Sequence, residues 1–248
     1  MGVFVLALPS AKYQLSRLFA VGATVGPLID GIHNQALLKY DLFPLVLDAD
    51  ILKTSYLIPP LLGITYAVLG GIIPQLGGFL INEQNDTSSQ NEHDYVLIKG
   101  KLRSIWIKAI IAVITTASII KLSNELTLGT ISVPDEFSAL ILLLFGKFEN
   151  LPQLYLYLLG FIQWALQDRN WRALLAAVLV SVFGPIAEIP FISCGAWHYI
   201  HPDYYPLGGD LPGLASITGP CYFAVMLDAT ALGRAFFFEH NYRSKCAF

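Results

Sequence analysis

At 248 residues the chain is long enough for one or two soluble domains, but its composition argues against them. Apolar and aromatic residues make up 55% of it and charged residues only 13%, about half of what a soluble surface carries. The net charge of −3 comes with no clustered basic stretch, which excludes a nucleic-acid binder.

In chain order, the opening MGVFVLALPSA is too short for a secretory signal and lacks its basic flank. Neither a prenylation box nor a myristoylation motif is present, so internal segments must carry the chain into a membrane. A helix needs roughly 20 mainly apolar residues to cross about 30 Å of hydrocarbon. Six stretches approach that length, at about 15–38, 55–76, 105–122, 151–166, 173–194 and 211–238. The expected fold class is therefore all-α, one polytopic domain over residues 1–248 with six transmembrane helices. The fourth stretch is marginal in length. The block Ala139 to Phe145 is too short to span, and reads either as an interfacial turn or as part of a longer, bent fourth helix.

Pro27, Pro59, Pro60, Pro74, Pro185, Pro190, Pro212 and Pro220 fall in every span except the third and fourth. A bilayer leaves helices or closed barrels as the only ways to satisfy the backbone, so these prolines predict kinks, at Pro27 and Pro185 above all. Gly22 and Gly26, four apart, suit close helix packing. Residues 77–100, with INEQNDTSSQNEHD, read as a solvated linker.

Of the 15 Lys and Arg residues, eleven fall on the N-terminal side of this arrangement. Only Lys39, Lys53, Lys121 and Lys147 fall opposite. The excess of basic residues marks the cytosolic side, so both termini are expected there. The acceptor triplet at Asn85 is cytosolic in this orientation and should stay free of sugar.

Charged groups inside a bilayer cost about 2.5–3.5 kcal/mol on insertion scales and need a reason. Asp30, His33 and Asn34 share a face of the first span, either as a polar pocket wall or as a helix end reaching the interface. Glu188 sits in FGPIAEIPFI between two prolines, with cavity-lining and helix-bend roles both open. Asp228 in the sixth span is similar and could face Asp30 or His33. His198, His201 and Asp203 in GAWHYIHPDYY have the types for a metal site, but a loop rich in Trp, Tyr and His more often forms an interfacial aromatic belt. The three cysteines, Cys194, Cys221 and Cys246, show no CxxC spacing and read as apolar fillers. No nucleophile–base pair, cofactor motif or metal site is indicated.

Three stretches are similar to one family. IPPLLGITYAVLGGIIP in the second span, QWALQDRNWRAL between the fourth and fifth, and HYIHPDYY with LPGLASITGP and ALGRAF near the end resemble the Insig (insulin-induced gene) proteins of the endoplasmic reticulum. The resemblance runs from about Leu18 to Phe236. It implies six helices with cytosolic ends, a sterol or other lipid bound among them, and no catalysis. It also implies partners: Scap, retained in the membrane, and HMG-CoA reductase, presented for degradation. Asp168 and Arg169 occupy the partner-binding turn. Lys99 and Lys101 match paired lysines that accept ubiquitin. Both pairs also suit the basic and acidic dressing of any cytosolic turn. Ser123 stands where the family carries Asp, and the connector from Asn124 to Asn150 and the last loop at Gly208 to Asp210 are longer than expected. These departures weaken the case for animal-type partners.

Two functions follow as alternatives. The first is a lipid-responsive binding and scaffold protein that regulates sterol or lipid homeostasis, its pocket lined from the second to fifth spans. Gly63, Thr65, Thr115, Ser118, Gln163 and Glu188 are its candidate ligand residues. The second is an intramembrane lipid-metabolising enzyme, such as a sterol isomerase, using Asp30, His33, Glu188 and Asp228. A transporter is disfavoured by the lack of an inverted repeat.

Overall fold

The computed structural model describes residues 9–33, 37–47, 52–78, 92–167, 169–209 and 211–246, and it is mostly helical. Proline decides where the helices break. Helix α1 (Pro9–Thr24) stops one residue short of α2 (Gly26–His33), because Pro27 has no N–H for the preceding turn. Helix α3 (Ile58–Ala67) starts on Pro59 and Pro60, where a missing N–H costs nothing. It runs into one wide π turn (Val68–Ile72) and then α4 (Ile73–Leu76). Pro74 within α4 cannot donate to the Gly70 carbonyl four residues earlier, and that carbonyl becomes free for another partner.

Helix α5 (Glu92–Leu128) is far longer than the 105–122 expected, because the polar residues before Lys99 continue the helix rather than a linker. Residues 79–91, including Asn85, lie outside the described residues. Helix α6 (Asp135–Phe145) is a separate element closed by Gly146 at φ +77°, so the short apolar block does not extend the fourth span. Helix α7 (Leu151–Gln167) follows, and Asn170 then caps α8 (Trp171–Ile186) by accepting from the Arg172 N–H at 2.9 Å. Pro185 and Pro190 interrupt the fifth span, which resumes as α9 (Ile189–Ser193). Helix α10 (Thr218–Cys246) begins seven residues later than expected from 211. The two expected kinks, at Pro27 and Pro185, are both present.

The fold is not purely α. Strand β1 (Leu38–Tyr40) pairs antiparallel with β4 (Trp197–Tyr199), and β2 (Pro44–Leu47) with β3 (Leu52–Ser55). These connectors lie at helix ends, where backbone groups still need partners and short ribbons supply them. The β1–β4 register, Tyr40 opposite Trp197 and Leu38 opposite Tyr199, draws the loop after the fifth span back over the bundle.

Five helical stretches among the described residues are long and apolar enough to cross a membrane: Ala11–Ile32, Ile58–Leu76, Lys99–Leu128, Trp171–Ser193 and Thr218–Ser244. Helix α7, at 17 residues, is shorter. The last stretch is the hub and packs on the other four and on α7. It is 78% buried with a mean hydropathy of 1.3, whereas Trp171–Ser193 is 28% buried with a mean hydropathy of 2.0. The helix surrounded by protein can carry polar side chains. Those facing outward match hydrocarbon.

Small residues let the hub approach its neighbours. A Cβ on Gly233 would stand 1.8 Å from the Gly70 carbonyl oxygen, and one on Gly22 would stand 2.4 Å from that of Leu62. Gln14 Nε2 reaches into the first contact and donates to both Gly70 O (3.2 Å) and Gly233 O (2.8 Å). Gln75 Nε2 donates in turn to Gln14 Oε1 at 2.7 Å. The carbonyl released by Pro74 thus anchors a buried polar knot that ties the first, second and last spans together.

Candidate functional site

A cavity of about 490 Å³ opens inside the bundle. Its walls come from the first, second, fifth and last spans, with Ile120 added from the third. The fourth span contributes nothing, and the third almost nothing, which departs from the expected set of spans two to five. Most of the wall is apolar, with Leu61, Leu62, Val68, Val180 and Val225 typical. Ile64, Leu179 and Phe183 line it while being half exposed on the outer surface of the bundle. The second and fifth spans do not pack extensively against each other, and the cavity opens sideways between them.

One end of the cavity is polar, and Glu188 organises it. The Pro185 and Pro190 breaks release Glu188 from a regular helix and turn its carboxyl inward. Glu188 Oε2 accepts from Trp197 Nε1 (3.1 Å) and Tyr199 Oη (2.9 Å). Its Oε1 accepts from Tyr222 Oη (2.7 Å). Trp197 is fixed by stacking on Phe191, with centroids 5.1 Å apart, and by an edge contact with Tyr40. Burial, and next the adjoining Glu188 carboxyl, hold the Tyr199 phenol well above its ordinary range, so it stays a donor. Asp30 stands on the same wall and accepts from Tyr40 Oη (2.8 Å) and Thr54 Oγ1 (3.3 Å). All the named donors to the two carboxyl groups are neutral, and no Lys, Arg or His lines the cavity.

The candidate ligand residues divide. Thr65 and Glu188 line the cavity. Gly63 faces Phe19 of the first span. Thr115 and Ser118 return their hydroxyls to the Ile111 and Ile114 carbonyls of their own helix at 2.8 Å each. Gln163 is buried between helices, donating to Thr116 Oγ1 (3.0 Å) and Ala112 O (3.3 Å). Asp228 lies in the core and accepts from Tyr66 Oη at 3.2 Å, so the imagined approach to Asp30 or His33 is replaced by a tyrosine of the second span. The His33 side chain and Asn34 lie outside the described residues.

The aromatic loop is not simply an interfacial belt. Trp197 and Tyr199 are buried and serve Glu188. His198 pairs with Asp41 at 2.5 Å. Asp203 accepts from the Ser216 N–H and hydroxyl, both at 2.6 Å, which fixes the entry to the last helix. No group of three metal-ligating side chains occurs among the described residues.

Asp168 lies outside the described residues. Its neighbour Arg169 is exposed in a left-handed turn at φ +50°, with Nε donating to Ala165 O at 3.1 Å. Trp164 Nε1 donates to Asn170 O (2.8 Å), and Arg172 reaches Gly77 O (3.1 Å) at the end of the second span. Lys99 and Lys101 are exposed on α5.

Tyr40, Trp197, Thr218 and Tyr222 were not among the residues singled out from the sequence for this site. For Trp197 and Tyr222, only the chemistry of Glu188, a buried carboxyl that must find donors, signalled that such partners had to exist.

The architecture has a counterpart. The crystal structure of MvINS, a mycobacterial Insig homologue from Mycobacterium vanbaalenii, superposes with a TM-score of 0.56 at 19% identity, covering 89% of this chain and 92% of that one. A cross-linked trimer of a cysteine variant of the same protein gives 0.58 over 91% and 94%, also at 19% identity. The fold is Insig-like. No family profile and no curated protein matches the sequence. The Insig-like fold, together with the apolar outward faces of its helices, makes the chain an integral membrane protein.

Proposed function

We propose that this chain is a non-catalytic, lipid-binding membrane protein with an Insig-like role. It crosses the bilayer six times, as one domain, with both ends in the cytosol. The cavity that opens sideways between the second and fifth spans carries this reading. An apolar hollow of about 490 Å³ lies within the range of pockets that bury most of a small ligand. Its side opening faces the phase where lipids reside. Thr65 and Glu188 belong to the ligand-facing wall. Burial of the aliphatic part supplies most of the affinity, at about 25 cal/mol per Å².

In this proposal a sterol or diacylglycerol-like lipid occupies the cavity, and occupancy changes how the second and fifth spans pack. A ligand acts only through its differential affinity for two packings. The turn at Asp168 and Arg169 then serves a polytopic partner of the Scap or HMG-CoA reductase kind. Lys99 and Lys101 are placed on the same side as ubiquitin acceptors. The endoplasmic reticulum membrane is the corresponding compartment.

The enzyme reading draws on the same carboxyl groups. Their arrangement favours binding instead: Asp228 is held apart in the core by Tyr66, and Glu188 accepts three hydrogen bonds from fixed side chains. Lipid extracted from detergent-purified protein and identified by mass spectrometry tests the proposal. Wild type and Thr115→Val, altered on the outer face, should retain about one lipid per chain. Val180→Trp, which fills the wall, should lose it while keeping its fold. Equal lipid content in all three overturns the proposal. Turnover of a lipid abolished by Glu188→Gln with binding intact favours the enzyme.

A further inference from the structure

Asp228 lies fully buried in the middle of the hub helix α10. A carboxylate inside a membrane bundle is costly unless its charge is compensated. Among the described residues no ion pair reaches it. Of the nearest basic residues on the helices around it, Lys121 is exposed and pairs with Glu125 at 3.7 Å. Lys108 donates to Gln167 O at 2.9 Å, and Arg234 lies about 9 Å farther along α10.

The groups that surround Asp228 hold more acceptors than donors. Tyr66 Oη donates to Oδ2 at 3.2 Å. The Thr116 hydroxyl of α5 reaches both the Asp228 carboxyl and Ala224 O (3.1 Å), with one proton for the two. The Ala229 N–H beside the carboxyl also serves its own helix. From α7, Gln163 Nε2 spends its N–H bonds on Thr116 Oγ1 (3.0 Å) and Ala112 O (3.3 Å). The other end of that amide, Oε1, is buried and accepts from nothing among the described residues. A side chain 3% exposed seldom keeps such an oxygen without a use.

We infer that this node is a binding site for a monovalent alkali cation of the Na⁺ kind, held by the Asp228 carboxylate and Gln163 Oε1 with Thr116 Oγ1 between them. Hard oxygen donors without sulfur or imidazole are the ligands of such ions and not of zinc or copper. A single carboxylate cancels one positive charge, whereas Ca²⁺ or Mg²⁺ would leave a net charge in the bundle. A water molecule would match the spare acceptors and leave the carboxylate uncompensated. A proton would cancel the charge but needs one acceptor, not oxygens gathered from three helices. The bound ion ties α5 and α7 to the hub. Tyr66 lines the cavity as well as reaching Asp228, so its phenol is the partition between cavity and node. The site stands whether or not the cavity holds a lipid.

The test melts the full-length protein in detergent at constant ionic strength while NaCl replaces choline chloride. The wild-type melting temperature should rise with Na⁺ and saturate, as binding to the folded state alone requires. Asp228→Asn removes the charge, keeps the shape and should melt alike in both salts. Gln163→Met, similar in volume, should need at least about tenfold more Na⁺ for the same rise. Thr115→Val, whose hydroxyl bonds Ile111 O of its own helix, should respond as wild type does. Wild-type melting that ignores the choice of cation overturns the site and leaves a proton as the neutralising group. A Na⁺ response that persists in Asp228→Asn, or is unshifted in Gln163→Met, also overturns it. So does a larger response to CaCl₂ at equal ionic strength. Should Asp228→Asn fail to fold, Gln163→Met decides alone.

Discussion

Placing a methyl group on Gly233 tests how the hub of the bundle is assembled. In Gly233→Ala the new Cβ would lie 1.8 Å from Gly70 O, where ordinary contact begins near 3.4 Å. The second and last spans would have to separate by well over an ångström. That motion stretches both bonds from Gln14 Nε2, now 3.2 and 2.8 Å, beyond hydrogen-bonding range. Overpacking costs about 1–3 kcal/mol, and the two strained bonds add about 0.5–1.5 kcal/mol each. A total of about 2–6 kcal/mol should lower the melting temperature in detergent by at least about 5 °C. Gly209→Ala, whose Cβ meets nothing within 4 Å, is the control. Equal melting of the two variants would refute the packing account. Gln14→Leu should show the polar share alone, about 1–3 kcal/mol, without the steric one.

Other consequences follow from the same structure. Glu188→Ala leaves the Trp197, Tyr199 and Tyr222 donors without their acceptor, and should destabilise by about 3 kcal/mol or more. Glu188→Gln keeps one acceptor oxygen and should lie between it and wild type on a thermal melt. Asn85 should carry no sugar when the chain is made in a glycosylating host, since its loop is assigned to the cytosol. A mobility shift removed by endoglycosidase would reverse the assignment of sides. Helix α6 exposes Leu142, Leu143, Leu144 and Phe145 in succession, all round its axis. A fluorophore at Leu143→Cys should therefore be quenched by brominated acyl chains in vesicles, and quenching by aqueous iodide alone would contradict this.

Much of the helical layout was legible in the sequence, because the membrane imposes a length rule and proline an interruption rule, both local. The kinks at Pro27 and Pro185 follow from one missing N–H each. The start of α5 was not legible, since polar residues from Glu92 onward look like a loop to any rule that counts apolar residues. Strands β1 and β4 escaped for a different reason: three residues pair with three others some 160 positions away.

The site divides in the same way. Glu188 stood out as a carboxyl among apolar neighbours, but its partners come from 9, 11 and 34 residues away, and nothing local marks them. Thr115 and Ser118 looked available, yet a helical hydroxyl can bond the carbonyl one turn behind it, and theirs do. Gln163 had the right chemistry for a ligand, but its amide donates to the third span instead.

The account turns on a lipid entering sideways between the second and fifth spans. A diazirine placed on the chain of a long-chain alcohol, irradiated with the protein in native membranes and mapped by peptide sequencing, reads this directly. The adducts should fall on Ile64, Leu179 and Phe183 and disappear when unlabelled alcohol is added in excess. Labelling spread over outward residues such as Ile110 and Ile114, with no competition at the portal, would contradict it.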